Sequence, residues 1–332
     1  MKVAIRADAG LIQGSGHVMR CKTLAEKLLS LGSTVTFYSN IQGIPWLDDS
    51  IAAMNIEVIS VEKNELAITE LVAKKFDLVV VDSYELPVDK INELAAEVPV
   101  LAIVDEPNPY LRVHAVLDQN LGAEIRHVEP YADGTLTLLG SKFALVRNEF
   151  LKIRINAPKR VKRIEDSRML CFFGGSDPSR AAIEIASVFR SRARPHLTIL
   201  APEEDHKEIR QILGDTNLDL LTFTTKLPSL IEKSDTVISA AGTSAWDLAS
   251  IGVPSAFVSI ASNQDLSLSA IHANKIGVTL NFQDSEEFNY EKICELIESQ
   301  KIRAELFQNM QKNFDGMGSE RACNAVIESI QS

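Results

Sequence analysis

The feature that most limits how this chain can fold is a junction near its start. A short apolar strand, Val3-Ala4-Ile5, leads through Asp8–Arg20 (DAGLIQGSGHVMR) into a helix. On that helix Val18, Cys21, Leu24, Ala25 and Leu28 recur at the spacing of one face. Gly14, Ser15 and Gly16 form the turn between the two. Glycine lets backbone approach a ligand closely, and the first turn of a helix leaves amides without partners. The junction therefore suits an anion such as phosphate. His17 stands at its mouth, where a neutral imidazole beside a bound phosphate is a candidate general base. The residues alone equally allow a glycine-rich turn with an incidental histidine.

The chain beyond that helix keeps the same alternation. Strands are expected at Val3–Arg6, Thr34–Tyr38, Leu78–Val81 and Val100–Val104, with helices at Val18–Leu31, Glu65–Lys75 and Val88–Glu97. Alternation of this kind gives a parallel sheet covered by helices. Asp82 in VVVDSY and Asp105 in AIVDEP fall at strand C-terminal ends, where ligands of open α/β sheets bind, and Tyr84 follows Asp82 closely. Asn148–Arg168 carries Pro158 and mixed charges without a clear period and reads as a linker. A second alternating block starts at Met169: MLCFFGGSDPS has the form strand, Gly-Gly turn, helix start, with Ser176 or Asp177 near the cap. Its further strands are Leu197–Leu200, Leu218–Phe223, Thr236–Ser239 and Ser255–Ser259. Gly242, Thr243 and Ser244 again join a strand to a helix, and Asp247 is read on the first turn of that helix. Asn263 and Gln264 open another helix. The expected domains are residues 1–150, a linker over 151–168, a second domain over 169–318, and a C-terminal helix over 319–332 packed on the body.

Several function classes are excluded. The third glycine position after Gly14 and Gly16 holds Met19, and the second strand ends Tyr38-Ser39-Asn40 without a ribose-binding acid, so the turn is not a dinucleotide fingerprint. There is no GxxxxGK[ST], no paired-histidine metal motif, and no GxSxG around Ser176. A net charge of −11 without a long basic run argues against nucleic-acid binding. Four widely spaced cysteines without a CxxC suit a reducing, cytoplasmic setting. The chain shows neither a signal-peptide pattern nor an apolar run of spanning length, so no membrane insertion is expected.

Taken together, IRADAGLIQGSGHVMRC, VVDSY, LLGSKFALVRNEF, FFGGSDPS, residues 239–254, SNQ and DGMGSERA resemble, in order, the UDP-sugar hydrolases of the pseudaminic acid pathway (the PseG type). Those are relatives of the SpsG-like spore-coat polysaccharide proteins. The resemblance implies a GT-B fold: α/β, two Rossmann-like parallel-sheet domains with an interdomain cleft. It implies water attack on a UDP-(di-N-acetylated 6-deoxy) sugar in nonulosonic acid or surface polysaccharide biosynthesis, with His17 as the base. Asp8 and Tyr84 are the further catalytic candidates, and Asp8, Asp82 or Asp105 can orient His17 or meet positive charge at the sugar ring. Gly14, Ser15, Gly16 and Arg20 would contact substrate. Gly175, Ser176, Gly242, Thr243 and Ser244 would line the diphosphate, backbone near Leu227 would face uracil, Asp247 would grip ribose, and Asn263 and Gln264 form the amide pair. Three positions depart from the pattern: Asp247 is a shorter acid, Ala241-Gly242 replaces paired glycines, and Asp105-Glu106 replaces a pair of aspartates. The implied mechanism needs no metal and no cofactor, and a monomer or weak dimer is expected. The rival readings are a GT-B glycosyltransferase using a UDP-sugar donor and a non-catalytic nucleotide-sugar-binding subunit.

Overall fold

The structure, a computed structural model, describes residues 1–11, 14–63, 65–129, 131–153, 162–175, 177 and 179–331. The chain divides into two compact units, Met1–Arg147 with Gly316–Ser332, and Asn148–Asp315.

Unit 1 runs β1 (Lys2–Ala7), β2 (Ala9–Gly10), α1 (Gly16–Ser30), β3 (Thr34–Ser39), β4 (Ile41–Gln42), α2 (Pro45–Ala52), β5 (Glu57–Ser60), α3 (Ile68–Ala73), β6 (Leu78–Asp82), α4 (Val88–Ala95), β7 (Val100–Ile103), β8 (Ala115–Asp118), α5 (Ala123–Arg126) and β9 (Leu136–Leu139). Unit 2 comprises α6 (Asn148–Leu151), β10 (Arg168–Phe172), α7 (Ala181–Val188), β11 (His196–Leu200), α8 (His206–Leu213), β12 (Leu218–Leu221), α9 (Leu227–Lys233), β13 (Thr236–Ala240), α10 (Thr243–Ile251), β14 (Ser255–Val258), α11 (Asp265–Ala273), β15 (Val278–Leu280), α12 (Glu286–Glu298) and α13 (Gln300–Asn313). The chain then returns to unit 1 with α14 (Gly318–Gln331).

Each unit is a parallel sheet in doubly wound order. In unit 1 the order is β5-β3-β1-β6-β7-β8-β9, and in unit 2 it is β12-β11-β10-β13-β14-β15. Strand order reverses between β1 and β6 in the first and between β10 and β13 in the second. A sheet of this type opens a crevice beyond its strand C-termini at that reversal. The period of two along β1 shows why both faces need helices: Val3, Ile5 and Ala7 pack with Val18, Cys21 and Leu24 of α1, while Ala4 faces Leu71, Ile91 and Leu94 of α3 and α4.

α14 completes the first face. Ala322, Cys323 and Val326 are buried against α1, Lys27 Nζ lies 2.7 Å from Glu320, and His114 meets Ser329 Oγ at 2.8 Å. Gly318 is what lets α14 begin there. A Cβ on it would fall 2.2 Å from the backbone oxygen of Ala144, and backbone cannot yield as a flexible side chain can. In the stretch read as a linker, residues 154–161 lie outside the described residues. Residues 162–168 pack on unit 2, with Ile164 buried, its amide bonded to Glu298, and Lys162 paired to Asp235 at 2.9 Å. Among the described residues no helix is long and apolar enough to cross a membrane.

Candidate functional site

In unit 1 the chemistry gathers at the β1/β6 reversal. β1 delivers the chain to a small loop closed by an antiparallel bridge between Gly10 and Gly14, with Gly14 N–H donating to Gly10 O at 2.7 Å. Gly14 has φ +81°, a region that side chains disfavour, so glycine is needed to turn the chain into α1. Ser15 caps α1 without a side-chain hydrogen bond, and His17 sits in its first turn, 6 % exposed. The first two turns of α1 are buried on every side, so the polar side chains among them must find partners inside the protein.

Those partners are strand-end aspartates. His17 Nδ1 lies 2.6 Å from Asp82 Oδ1, at the end of β6. Arg20, one turn on, donates from Nε to Asp82 Oδ2 (2.6 Å), from NH2 to Asp82 Oδ1 (2.7 Å) and from NH1 to Asp105 Oδ1 (2.6 Å). Cys21 adds a weak S–H donor to Asp82 Oδ2 at 3.5 Å. Tyr84 meets the His17 ring edge-on, with centroids 4.5 Å apart, and its hydroxyl donates to Asp105 Oδ2.

Burial alone would push the Asp82 carboxyl up. The Arg20 charge, then His17, outweighs it and holds the group well below the usual carboxylate range. Asp105 is held down the same way, against its own burial, by Arg20 and the Tyr84 hydroxyl. Both acids are therefore ionised acceptors near neutrality. For Cys21, burial first and then Asp82 push the thiol well up, so it stays protonated.

An ionised Asp82 accepts the Nδ1 proton of a neutral His17 and leaves Nε2 as the basic nitrogen. Among the described residues no protein group bonds Nε2. A carboxylate fixing one ring nitrogen while the other is left to take a proton is the arrangement of a general base.

Two expectations for this site need correction. Asp8 does not orient His17. Arg6 and Asp8 are two residues apart and so share a side, and the Arg6 guanidinium binds the Asp8 carboxylate, whose Oδ1 also accepts Asn40 N–H at 2.8 Å. Arg20 is not placed as a substrate ligand: it is 4 % exposed and its guanidinium is taken by Asp82 and Asp105. Its bonds are to His17's partner, Asp82, and to Asp105.

The sequence reading also missed Asp118, Asn120 and His127. Asp118 ends β8 as Asp82 ends β6, and VLDQN carries the same signal as VVVDSY, an apolar run closed by an aspartate. Asp118 accepts from His127 Nε2 (2.9 Å), Arg126 NH2 (3.0 Å) and Asn120 Nδ2 (2.8 Å).

Unit 2 repeats the plan at the β10/β13 reversal, with two strand-to-helix turns. The first is closed by its own side chain. Asp177, buried and at φ +44°, accepts the amides of Ala181 (2.9 Å) and Ala182 (2.9 Å), so the start of α7 already holds a carboxyl group. Burial raises that carboxyl, though the two amides draw it back toward ionisation. Gly175 stays half-buried at this turn, and Ser176 lies outside the described residues.

The second turn has no such cap. Gly242, in extended conformation, precedes Thr243 and Ser244 and offers no side chain to the α10 amides. A Cβ at Gly242 would sit 3.5 Å from Gln264 Nε2, so the Gln264 amide stands over the α10 start, its Oε1 accepting Ile260 N–H at 3.1 Å. Asn263 is exposed on the same 3-10 turn, Ser262–Gln264, which precedes α11 rather than forming part of it. Asp247 is buried on α10 but lies beyond the first turn, because the helix begins only at Thr243. Leu227 is the first residue of α9 and is half-buried.

Comparison with known proteins agrees with this architecture. Residues 169–323 match the model of the glycosyltransferase family 28 C-terminal domain. The spore coat polysaccharide biosynthesis protein SpsG of Bacillus subtilis is 21 % identical over 341 residues, covering 99 % of this chain and 98 % of that protein. An uncharacterized protein of Methanocaldococcus jannaschii, MJ1062, is 23 % identical over 267 residues, covering 76 % of this chain, and the match spans only 54 % of that relative's length. Among solved structures, MurG of Acinetobacter baumannii superposes with a TM-score of 0.68 at 13 % identity, over 98 % of this chain and 99 % of that one. The fold is GT-B, with two Rossmann-like parallel-sheet domains.

Proposed function

We propose that this protein is a nucleotide-sugar hydrolase that converts a UDP-sugar and water to UDP and free sugar. The observation that carries the reading is the 2.6 Å contact of His17 Nδ1 with Asp82, a carboxylate itself clamped by Arg20. Water attacks the anomeric carbon and gives its proton to His17 Nε2. The bond from that carbon to the diphosphate oxygen breaks, and its electron pair leaves with UDP. The imidazolium that forms stays paired to Asp82.

The state of the two acids nearest His17 bears on the leaving group. Ordinary glycosidases protonate a poor leaving group with a carboxylic acid. Asp82 and Asp105 are both held ionised and are unsuited to that task. A base without an acid fits a substrate whose leaving group needs no proton, and a nucleoside diphosphate is one. Its growing charge is met by backbone amides at a helix start.

In this reading unit 2 holds the nucleotide. Thr243, Ser244 and Gly242 at the α10 start, with Gln264 beside them, take the diphosphate; Asp247 takes ribose hydroxyls; backbone at Leu227 faces the base; Asn263 reaches polar groups of the substrate. Tyr84 borders the reacting centre, and Gly14, Ser15 and Gly16 allow the sugar to approach. Likeness to the spore coat polysaccharide biosynthesis protein SpsG supports a place in surface polysaccharide synthesis; nonulosonic acid synthesis and a di-N-acetylated 6-deoxy sugar as cargo follow only from the resemblance of the sequence motifs to the PseG type.

A second reading is favoured by the family 28 match: a glycosyltransferase that passes the sugar to a hydroxyl acceptor. The two are separated by incubating the protein with UDP-sugar in heavy-oxygen water without acceptor. Hydrolysis releases UDP and puts the label in the sugar, and His17→Asn slows it by about 10²–10⁴. UDP release only when an acceptor is added overturns the hydrolase reading in favour of transfer.

A further inference from the structure

Three parallel strands side by side, β6, β7 and β8, lead into aspartates at one sheet edge: Asp82, Asp105 and Asp118. Neighbouring strands lie about 4.8 Å apart, so a row of carboxylates there repels itself unless something fills each gap. Arg20 fills the first gap, bonding Asp82 and Asp105. Asn120 fills the second. Its Nδ2 donates to Asp105 Oδ1 (2.8 Å) and to Asp118 Oδ1 (2.8 Å), and its backbone N–H donates to Asp118 Oδ1 (2.9 Å).

Asp118 is the fixed end of this chain of bonds. Its side chain is wholly buried and is held from the far side by Arg126 and His127. The amide of Asn108 donates to Tyr131 Oη (3.4 Å), which leaves the Tyr131 hydroxyl to donate to His127 Nδ1 (3.0 Å) and His127 Nε2–H to donate to Asp118. A neutral His127 is thus satisfied at both nitrogens and acts as an anchor. At His17 the ring is turned the other way: Nδ1 faces the carboxylate, and among the described residues no protein group bonds Nε2. Asp105, by contrast, is 17 % exposed at its side chain and carries Tyr84, the residue that touches the His17 ring.

We infer that Asn120 is a positioning residue of the His17 site, bridging Asp105 to the Asp118 anchor so that Arg20 and Tyr84 stay set against Asp82 and His17. Its bonds run to Asp105 and Asp118, not to His17. Its amide is neutral, so it joins two carboxylates without cancelling either charge. An aspartate at 120 would put a third acid between two others.

The inference rests on the hydrolase reading only for its kinetic arm. The test takes the full chain as Asn120→Ala and records three things: the ring-proton resonances of His17 by NMR, the turnover of UDP-sugar, and the calorimetric affinity for UDP. Held then by Arg20 alone and no longer tied to Asp118, Asp105 shifts and carries the Tyr84 hydroxyl with it, and the His17 protons lose the ring-current displacement that the edge-on contact imposes. kcat falls about 100-fold, the cost of a misplacement near 1 Å, with KM and UDP affinity unchanged. The loss is not additive with that of Tyr84→Phe, since both act through Asp105. A folded Asn120→Ala protein with wild-type His17 resonances overturns the inference, as do losses that simply add. Should Asn120→Ala not fold, Asn120→Ser, which keeps one side-chain donor, is read in the same way. A wild-type protein that never turns over UDP-sugar refutes the hydrolase reading instead, because the NMR arm needs no substrate.

Discussion

Replacing Asp82 by asparagine is the most revealing single change, because one carboxylate does two tasks. Asp82 Oδ1 accepts from His17 Nδ1 and Arg20 NH2, and Oδ2 accepts from Arg20 Nε and Cys21. An amide keeps the shape but has one acceptor. If its NH2 takes the Oδ1 position, it donates to Nδ1, drives the ring proton to Nε2 and removes the base. If it takes the Oδ2 position, it opposes Arg20 Nε donor to donor. Both orientations lose an Arg20 bond, and both leave the imidazolium without its counter-charge.

Removing one partner of a buried ion pair costs about 3–5 kcal/mol, and Arg20 keeps Asp105, so the loss of stability should fall near the lower figure. The rate loss should approach about 10⁴, as expected when the carboxylate that fixes a catalytic tautomer is neutralised. UDP affinity should not change, since no nucleotide contact is assigned to Asp82. Urea denaturation gives the first quantity, UDP release at saturating substrate the second, and calorimetry the third. An Asp82→Asn protein that is folded and turns over at the wild-type rate would refute the assignment of His17 as an aspartate-oriented base.

Three further outcomes are expected. Asp247→Ala should weaken UDP binding by about 1.5–3 kcal/mol, the worth of hydrogen bonds to a charged group, and by the same amount for UDP-sugar; unchanged calorimetric affinity removes Asp247 from the nucleotide site. The depressed carboxyls of Asp82 and Asp105 mean that the unfolded chain binds more protons than the native one below a reference value of about 3.9. Their contribution is therefore complete above that pH and is lost as pH falls through the folded values, so the urea midpoint should drop in acid less steeply for Asp82→Asn than for wild type; parallel curves would count against it. Chelator should leave turnover intact, because the carboxylates nearest His17 are taken by Arg20; activity lost to EDTA and restored by one divalent ion would contradict this.

How much of this was legible in the sequence depends on which interactions are local. Strand-to-helix turns, their glycines and the alternation in each half are local, so the parallel-sheet class and the junction at His17 could be read directly. The partner of His17 could not. Asp8 is the nearest acid in the chain, yet strand periodicity sets it beside Arg6. Asp82, 65 residues from His17, becomes the neighbour only because β1 and β6 adjoin at the reversal. The pattern gives each strand but not the order in which strands lie. Asp118 was missed for another reason. Its apolar run, Ala115-Val116-Leu117, closes on an aspartate as β6 does but is only three residues long after His114, so the strand β8 was not expected. The stretches at α2, β5, α12 and α13 were likewise unassigned, their mixed polarity giving no clear period.

The three glycine-rich junctions look alike as sequence but differ as helix starts, and that difference decides their chemistry. Each strand end offers backbone amides to an anion, and the question is what already occupies them. At α7 a buried aspartate does, so Gly175 borders a start that is already capped and would compete poorly for a diphosphate. At α1 and α10 the cap residues, Ser15 and Gly242, make no side-chain bond to the first turn. A substrate with an anionic diphosphate and a neutral reacting carbon needs one amide cradle and one base. Within unit 2, α10 offers backbone amides with the Gln264 amide at the edge of the helix start; within unit 1, α1 carries His17 with the Asp82 carboxylate behind it. Closing one helix start with Asp177 thus leaves the two open ones with unlike side chains at the mouth. Moving that carboxyl tests the argument: Asp177→Ala should open α7 to anions and destabilise unit 2 by about 1 kcal/mol, the usual worth of a cap, while UDP affinity at α10 stays as it was. A fall in UDP affinity comparable to that of Asp247→Ala would return the diphosphate to the α7 turn.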